Sequence, residues 1–158
     1  LAQALSVAGG VALARKLRGD AGRVWVFMSD GEFQEGQTWE AFAAAAFHGL
    51  HNLNVVVDVN GYQCDGLMTG VMQIEPLADR LRAFGAVVAE VDAHSPADLL
   101  AAAQLPHPDG PLVILGRSDP CRGIAPLAER IPTLHYVRFR DAAERQRYAE
   151  VLAAIGGV

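Results

Sequence analysis

Two hydrophobic periods alternate along this chain. From Leu1 to Leu17 apolar and small residues dominate, and Gly19 stands just beyond the last of them. This segment predicts a buried helix stopped by a glycine, with Gly9 and Gly10 marking close packing. Arg23 to Met28 is a nearly continuous apolar run closed by Ser29-Asp30-Gly31, the pattern of a strand covered on both faces in a parallel sheet. From Gly36 to Leu50 the positions Trp39, Phe42, Ala43, Ala46 and Phe47 recur at i, i+3, i+4, i+7 and i+8, which predicts an amphipathic helix with one core face. Leu53 to Val59 is a second buried strand, ended by Asn60-Gly61. Strand, helix and strand at this spacing make one βαβ unit with a right-handed crossover.

The alternation continues. Glu75 to Phe84 reads as a helix with Pro76 in its first turn, Ala86 to Val91 as a strand, and Ser95-Pro96 as N-cap and N1 of a helix reaching Ala103. Pro106 to Gly110 is a turn and Pro111 to Leu115 a fourth strand. Gly116 to Leu134 reads as a loop, and Asp141 to Ile155 as a closing helix before the Gly156-Gly157 end. Such a series predicts an α/β fold, a mostly parallel sheet with helices on both faces. Residues 1–158 form one domain, in which 116–158 is the carboxy-terminal loop and helix. The chain opens at Leu1 in helical sequence with no cap residue ahead of it, which predicts further residues upstream.

Composition narrows the function classes. At 158 residues and 51% hydrophobic the chain should fold. Its formal charge of -5 disfavours a nucleic-acid partner held through a basic surface. Cys64 and Cys121 sit in no metal-type spacing and are too few for a disulfide scaffold, which suits a reducing, cytoplasmic compartment. No apolar window is long enough for a membrane span.

The candidate chemistry lies at the strand ends, where open α/β sheets bind ligands. Asp30 and Asn60 each close a strand of the first βαβ unit. If those strands are neighbours, ~4.8 Å apart, a carboxylate and an amide oxygen can reach one ion. That pair suits Mg²⁺, which takes one or two carboxylates together with phosphate oxygens. Gly31 permits close backbone approach, the helix start after it offers N–H groups to an anion, and Gly61 is similarly permissive. An Asp-Gly pair after a strand is also a common turn.

Ser29-Asp30-Gly31 followed by Asn60-Gly61 resembles the thiamine-diphosphate signature, Gly-Asp-Gly and then Asn some thirty residues on. Glu35-Gly36, Glu40, Asp65-Gly66, Glu75-Pro-Leu-Ala78, Phe84-Gly85 and Val91-Asp-Ala-His94 narrow the resemblance to transketolases, especially the amino-terminal subunit of the split bacterial type. Leu1-Ala-Gln-Ala-Leu-Ser6 is similar to that family's Leu-Gly-Gln-Gly-Leu-Ser. The likeness is dense from Leu1 to about Leu115 and thin afterwards. It implies a diphosphate-binding (PP-type) fold with Asp30 and Asn60 as Mg²⁺ ligands, joined by the main-chain carbonyl of Tyr62. It also implies Leu1 against the cofactor rings, Ser29 and Gly31 against the diphosphate, and Glu32 among the cofactor-binding residues. Glu35 and Glu40 match acidic residues at the subunit interface, Glu35 in the catalytic set. Carboxylates at a helix start are also favourable without any such role. His135 matches a histidine near the diphosphate and substrate, or is an exposed loop histidine.

The activity implied is transfer of a two-carbon ketol unit from a ketose to an aldose, with a sugar or sugar phosphate as substrate. The partner implied is a carboxy-terminal transketolase-like subunit carrying the pyrimidine-binding domain, in a heterotetramer without which this chain is inactive. Departures stand at Ser29, Ala2 and Ala4, each a glycine in the family, at Pro120-Cys-Arg-Gly123 in place of Lys-Gly-Lys-Gly, and at His135-Tyr136 in place of His-Gly. Another thiamine-diphosphate reaction, such as 2-oxoacid decarboxylation, and a non-catalytic partner module are the alternatives. His48 and His51 flank a helix end, His107 lies in a turn, and Trp39 and Phe47 read as core.

Overall fold

The computed structural model describes residues 1–156; Gly157 of the terminal glycine pair and Val158 lie outside the described residues. The chain forms two units, Leu1–Asn60 with Ile74–Ser118, and Gly61–Gln73 with the chain from Asp119 onward. The first holds a four-stranded parallel sheet. Its strands are β1 (Val24–Ser29), β2 (Leu53–Val59), β5 (Val87–Asp92) and β6 (Leu112–Arg117), in the order β1-β2-β6-β5. The helices are α1 (Gln3–Arg18), α2 (Gly36–Phe47), α4 (Leu77–Ala83) and α5 (Pro96–Ala103). α5 lays Leu99, Ala102 and Ala103 over Leu112, Ile114 and Val87. α1 packs on β1, whose buried residues Val26 and Met28 point to the opposite side from Trp25 and Phe27. Helices on both faces of a parallel sheet are the predicted architecture.

Local signals place these elements. Gly19 closes α1 in the left-handed conformation, φ 71°, and its N–H reaches the carbonyls of Arg15 and Lys16. Ser95 Oγ accepts the Asp98 N–H at 3.3 Å with Pro96 next in line. Pro76 precedes α4 rather than lying in its first turn, and Glu75 caps that helix instead, accepting the Leu77 N–H at 2.6 Å.

Four expectations about burial need correction. β1 is an edge strand covered on one face only: Trp25 and Phe27 are 49% and 71% exposed. An apolar run reports that two faces can be buried, and α5 reaches β5 and β6 without extending to β1. α1 buries Leu5, Ala8 and Ala12 but exposes Val7, Val11 and Leu17, so it is not buried all round. A Cβ at Gly9 or Gly10 would meet nothing within 4 Å; the close packing expected there is absent among the described residues. α2 turns Thr38, Phe42 and Ala45 into the core, leaves Trp39 half-buried, and exposes Phe47. Thr38 takes its core place because its hydroxyl donates to the Glu32 carbonyl at 2.6 Å. Trp39 donates from Nε1 to the Phe33 carbonyl at 2.9 Å.

The second unit contains a small hairpin of β3 (Tyr62–Gln63) and β4 (Gly66–Leu67), then α3 (Met68–Val71), α6 (Ala125–Ala128) and α7 (Ala142–Ala154). The hairpin, α3 and α6 have no counterpart in the predicted elements, being two to four residues long. Asp141 caps α7 by accepting the Glu144 N–H at 2.7 Å. The buried Glu144 carboxylate accepts from the Arg140 main-chain N–H, the Arg140 guanidinium and Arg130. Among the described residues no helix is long and apolar enough to cross a membrane.

Two outcomes are expected. Phe42→Ala removes a fully buried ring stacked on Phe33 and should cost about 3–5 kcal/mol in denaturant unfolding; a loss under about 1 kcal/mol would contradict the packing. The Arg140 N–H, the Arg140 side chain and Arg130 lower the Glu144 pKa from 4.5 to about 2. A depressed carboxyl pKa stabilises the folded state above the unfolded value and loses that contribution as pH falls through the folded one. Glu144→Gln should therefore melt below the parent chain at neutral pH, the gap closing between pH 4.5 and about 2. A pH-independent gap in thermal melts would assign the loss to packing alone.

Candidate functional site

Parallel pairing places Ser29 opposite Asp58, the last rung shared by β1 and β2. Asp30 leaves one strand a residue later, and Asn60 follows the other two residues later. Both therefore emerge at the carboxyl edge of adjacent strands, as the sequence predicts. Asp30 opens a 3₁₀ turn, Asp30–Gln34, that packs against β2. That turn separates Gly31 from α2, which begins at Gly36 as its periodicity predicts, so the N–H groups just after Gly31 belong to the turn. The Asp30 side chain is buried, and its Oδ1 accepts the Ser29 hydroxyl at 3.2 Å. Asn60 donates from Nδ2 to Asp58 Oδ2 at 2.8 Å. That bond directs the nitrogen end of the amide at Asp58 and so turns the oxygen end away from it. A buried carboxylate and an amide oxygen are the hard donors that Mg²⁺ accepts, so the residues present fit that ion.

Glu32 joins the two ends of the site. Its Oε1 accepts the Ser29 N–H at 3.2 Å and its Oε2 accepts the Ala2 N–H at 2.8 Å. Ala2 adopts φ 61°, a left-handed backbone that costs a non-glycine residue roughly 1–2 kcal/mol; the Glu32 bond holds it there. Both Glu32 oxygens thus serve main-chain N–H groups of Ser29 and Ala2. Leu1, beside this anchor, is 89% exposed.

The other expected residues fall in three places. Glu35, just ahead of α2, and Glu40, on that helix, are exposed. Glu40 lines a groove of about 330 Å³ between α1 and α2, together with Gln37, Ser6, Gly9 and Gly10. Tyr62 and His135 belong to the second unit, Tyr62 in β3 and His135 exposed, its ring edge-on to Tyr136 at 4.6 Å. Of the remaining histidines, His107 is buried, its Nδ1 3.1 Å from the Gly110 carbonyl, and burial pushes its pKa down. Among the described residues no three of His, Cys, Asp and Glu cluster as a metal site. A single Mg²⁺ needs no such cluster.

Sequence reasoning missed Asp58 and Ser118. Asp58 lies two residues before Asn60, hence on the same side of the strand direction, and Ser118 follows the neighbouring strand β6. Arg117 lies beside it but is held by Glu75 at 2.5 Å and Glu90 at 2.9 Å. Burial alone would raise the Glu75 carboxyl. The Arg117 hydrogen bond and the Leu77 N–H outweigh it and hold Glu75 below the usual carboxylate range.

The chain is similar to known proteins over most of its length. A family model described as "Transketolase, thiamine diphosphate binding domain" matches residues 3–109. An uncharacterized transketolase family protein, y4mO, of Sinorhizobium fredii is 36% identical over 98% of this chain and 55% of its own length. An apulose-4-phosphate transketolase subunit from Actinobacillus succinogenes is 34% identical over 91% of this chain and 52% of its own. The chain thus spans about half the length of these curated relatives. A transketolase structure from Pichia stipitis superposes with a TM-score of 0.69 at 19% identity, covering 98% of this chain and 28% of that one, which supports the fold. The family match and the relatives together establish that this chain belongs to the transketolase family and carries its thiamine diphosphate binding domain.

Proposed function

We propose that this chain is the cofactor-gripping part of a cytoplasmic transketolase-like enzyme, moving a two-carbon ketol unit from a ketose to an aldose. The observation that carries the reading is the β1–β2 register, which delivers Asp30 and Asn60 to one sheet edge with the Asn60 nitrogen already engaged. In this reading Asp30 and Asn60 would hold Mg²⁺, and the ion would anchor the diphosphate. Thiamine diphosphate supplies the carbon–carbon bond chemistry when bound. The chain supplies position: Glu32 fixes the Ser29 and Ala2 main chain against which the diphosphate and Leu1 are set. His135 is proposed to face substrate. Glu35 and Glu40 are proposed to meet the pyrimidine-binding partner in a heterotetramer.

Support for a partner comes from exposed apolar residues on α1 and from the α1–α2 groove that Glu40 lines. Val7 and Val11 are exposed on α1, and Gly9 and Gly10 line the α1–α2 groove, where an added Cβ would meet no atom of the described residues within 4 Å. Apolar surface rimmed by polar residues marks interaction sites. The sulfosugar and apulose phosphate substrates in the names of related subunits support a sugar or sugar-phosphate substrate here as well.

Calorimetric titration of the paired chains with thiamine diphosphate and Mg²⁺ tests the reading. Asp30→Ala should abolish metal-dependent binding, and unchanged affinity would reject Asp30 as a ligand. Ketol transfer should appear only when the carboxy-terminal subunit is added; turnover by this chain alone would contradict the division of labour.

A further inference from the structure

The Asp58 carboxylate is committed at both oxygens. Oδ2 accepts the Asn60 Nδ2–H at 2.8 Å, and Oδ1 accepts the Ser118 hydroxyl. The Ser118 N–H in turn donates to the Val59 carbonyl at 3.1 Å, tying the end of β6 to the end of β2. Asp58 is itself fixed by the sheet, paired with Ser29 on β1 and with Gly116 on β6.

A side-chain amide has two ends of opposite sense, and rotation by half a turn exchanges them. One presents an oxygen to a cation; the other presents N–H donors, which a cation repels. An ionised carboxylate only accepts, so it selects the NH₂ end. We propose that Asp58 is a positioning residue, held by Ser118, that locks the Asn60 amide with its oxygen toward the bound metal ion. The inference rests on the metal reading above. Asp58 touches neither substrate nor ion in it, both oxygens being spent on Asn60 and Ser118. Partners that orient metal ligands in this way typically change affinity by ~10–100-fold when removed.

Two measurements test it. In the metal-free full chain, NMR exchange of the Asn60 side-chain protons should be slow, and Asp58→Ala should release it; unchanged exchange would overturn the inference without reference to any cofactor. In the paired enzyme with thiamine diphosphate, Mn²⁺ affinity is read by electron paramagnetic resonance for the parent, Asn60→Ala, Asp58→Ala and the double variant. Asp58→Ala should weaken Mn²⁺ binding ~10–100-fold, and the double variant should bind no worse than Asn60→Ala, because Asp58 acts through that amide. Parent-like affinity in Asp58→Ala, or losses that add in the double variant, would overturn the positioning role, the latter pointing to Asp58 as a ligand. Parent-like affinity in Asn60→Ala would instead reject the metal reading. Should Asp58→Ala fail to fold, Asp58→Asn keeps one acceptor oxygen, and the same cycle is run with it, its loss smaller and again absent from the Asn60→Ala background.

Discussion

The site depends on one constraint, the parallel pairing of β1 with β2. Parallel strands run ~4.8 Å apart, and their hydrogen bonds fix which residues leave the sheet together. With Ser29 opposite Asp58, a carboxylate and an amide emerge side by side at the carboxyl edge. A slip of one residue would turn every β2 side chain to the other face, burying Asp58 among the residues now occupied by Val57 and Val59. The apolar core therefore enforces the polar geometry. Leu53, Val55 and Val57 are fully buried, so the register that buries them is also the one that aligns Asp58 and Asn60.

Around that register the chain spends its polar groups on holding main chain and side chains still. Glu32 clasps Ser29 and Ala2, Thr38 and Trp39 clasp the 3₁₀ turn after Asp30, and Asp58 clasps Asn60 and Ser118. None of these bonds is itself a step of chemistry. Each removes a rotation that a weakly constrained loop would otherwise keep, which is how a site on strand ends gains the precision that loops lack.

Much of this was legible in the residues. β2 runs from Leu53 to Val59 as its apolar run predicts, α5 starts at the Ser95-Pro96 cap, and Gly19 stops α1. The placement of Asp30 and Asn60 at adjacent strand ends was legible because those ends are marked by Asp-Gly and Asn-Gly, and the family resemblance was carried by those same residues. What stayed illegible concerns covering. Trp25, Phe27 and Phe47 look like core because they are apolar in periodic segments, yet periodicity reports which face is apolar and not what lies against it. Gly9 and Gly10 likewise signal close approach without saying to what. The hairpin at Tyr62–Leu67 and the single-turn helices are too short to carry a period. Asp58 escaped notice because a lone acidic residue in an apolar strand acquires meaning only when the neighbouring strand brings Ser118 beside it.

A crystal structure of the paired enzyme with thiamine diphosphate and Mg²⁺ tests the central claim most directly. The account predicts one ion ~2.0–2.1 Å from both an Asp30 carboxylate oxygen and the Asn60 amide oxygen, with the Asn60 nitrogen still on Asp58. An ion bound elsewhere, or Asn60 turned away from it, would contradict the account.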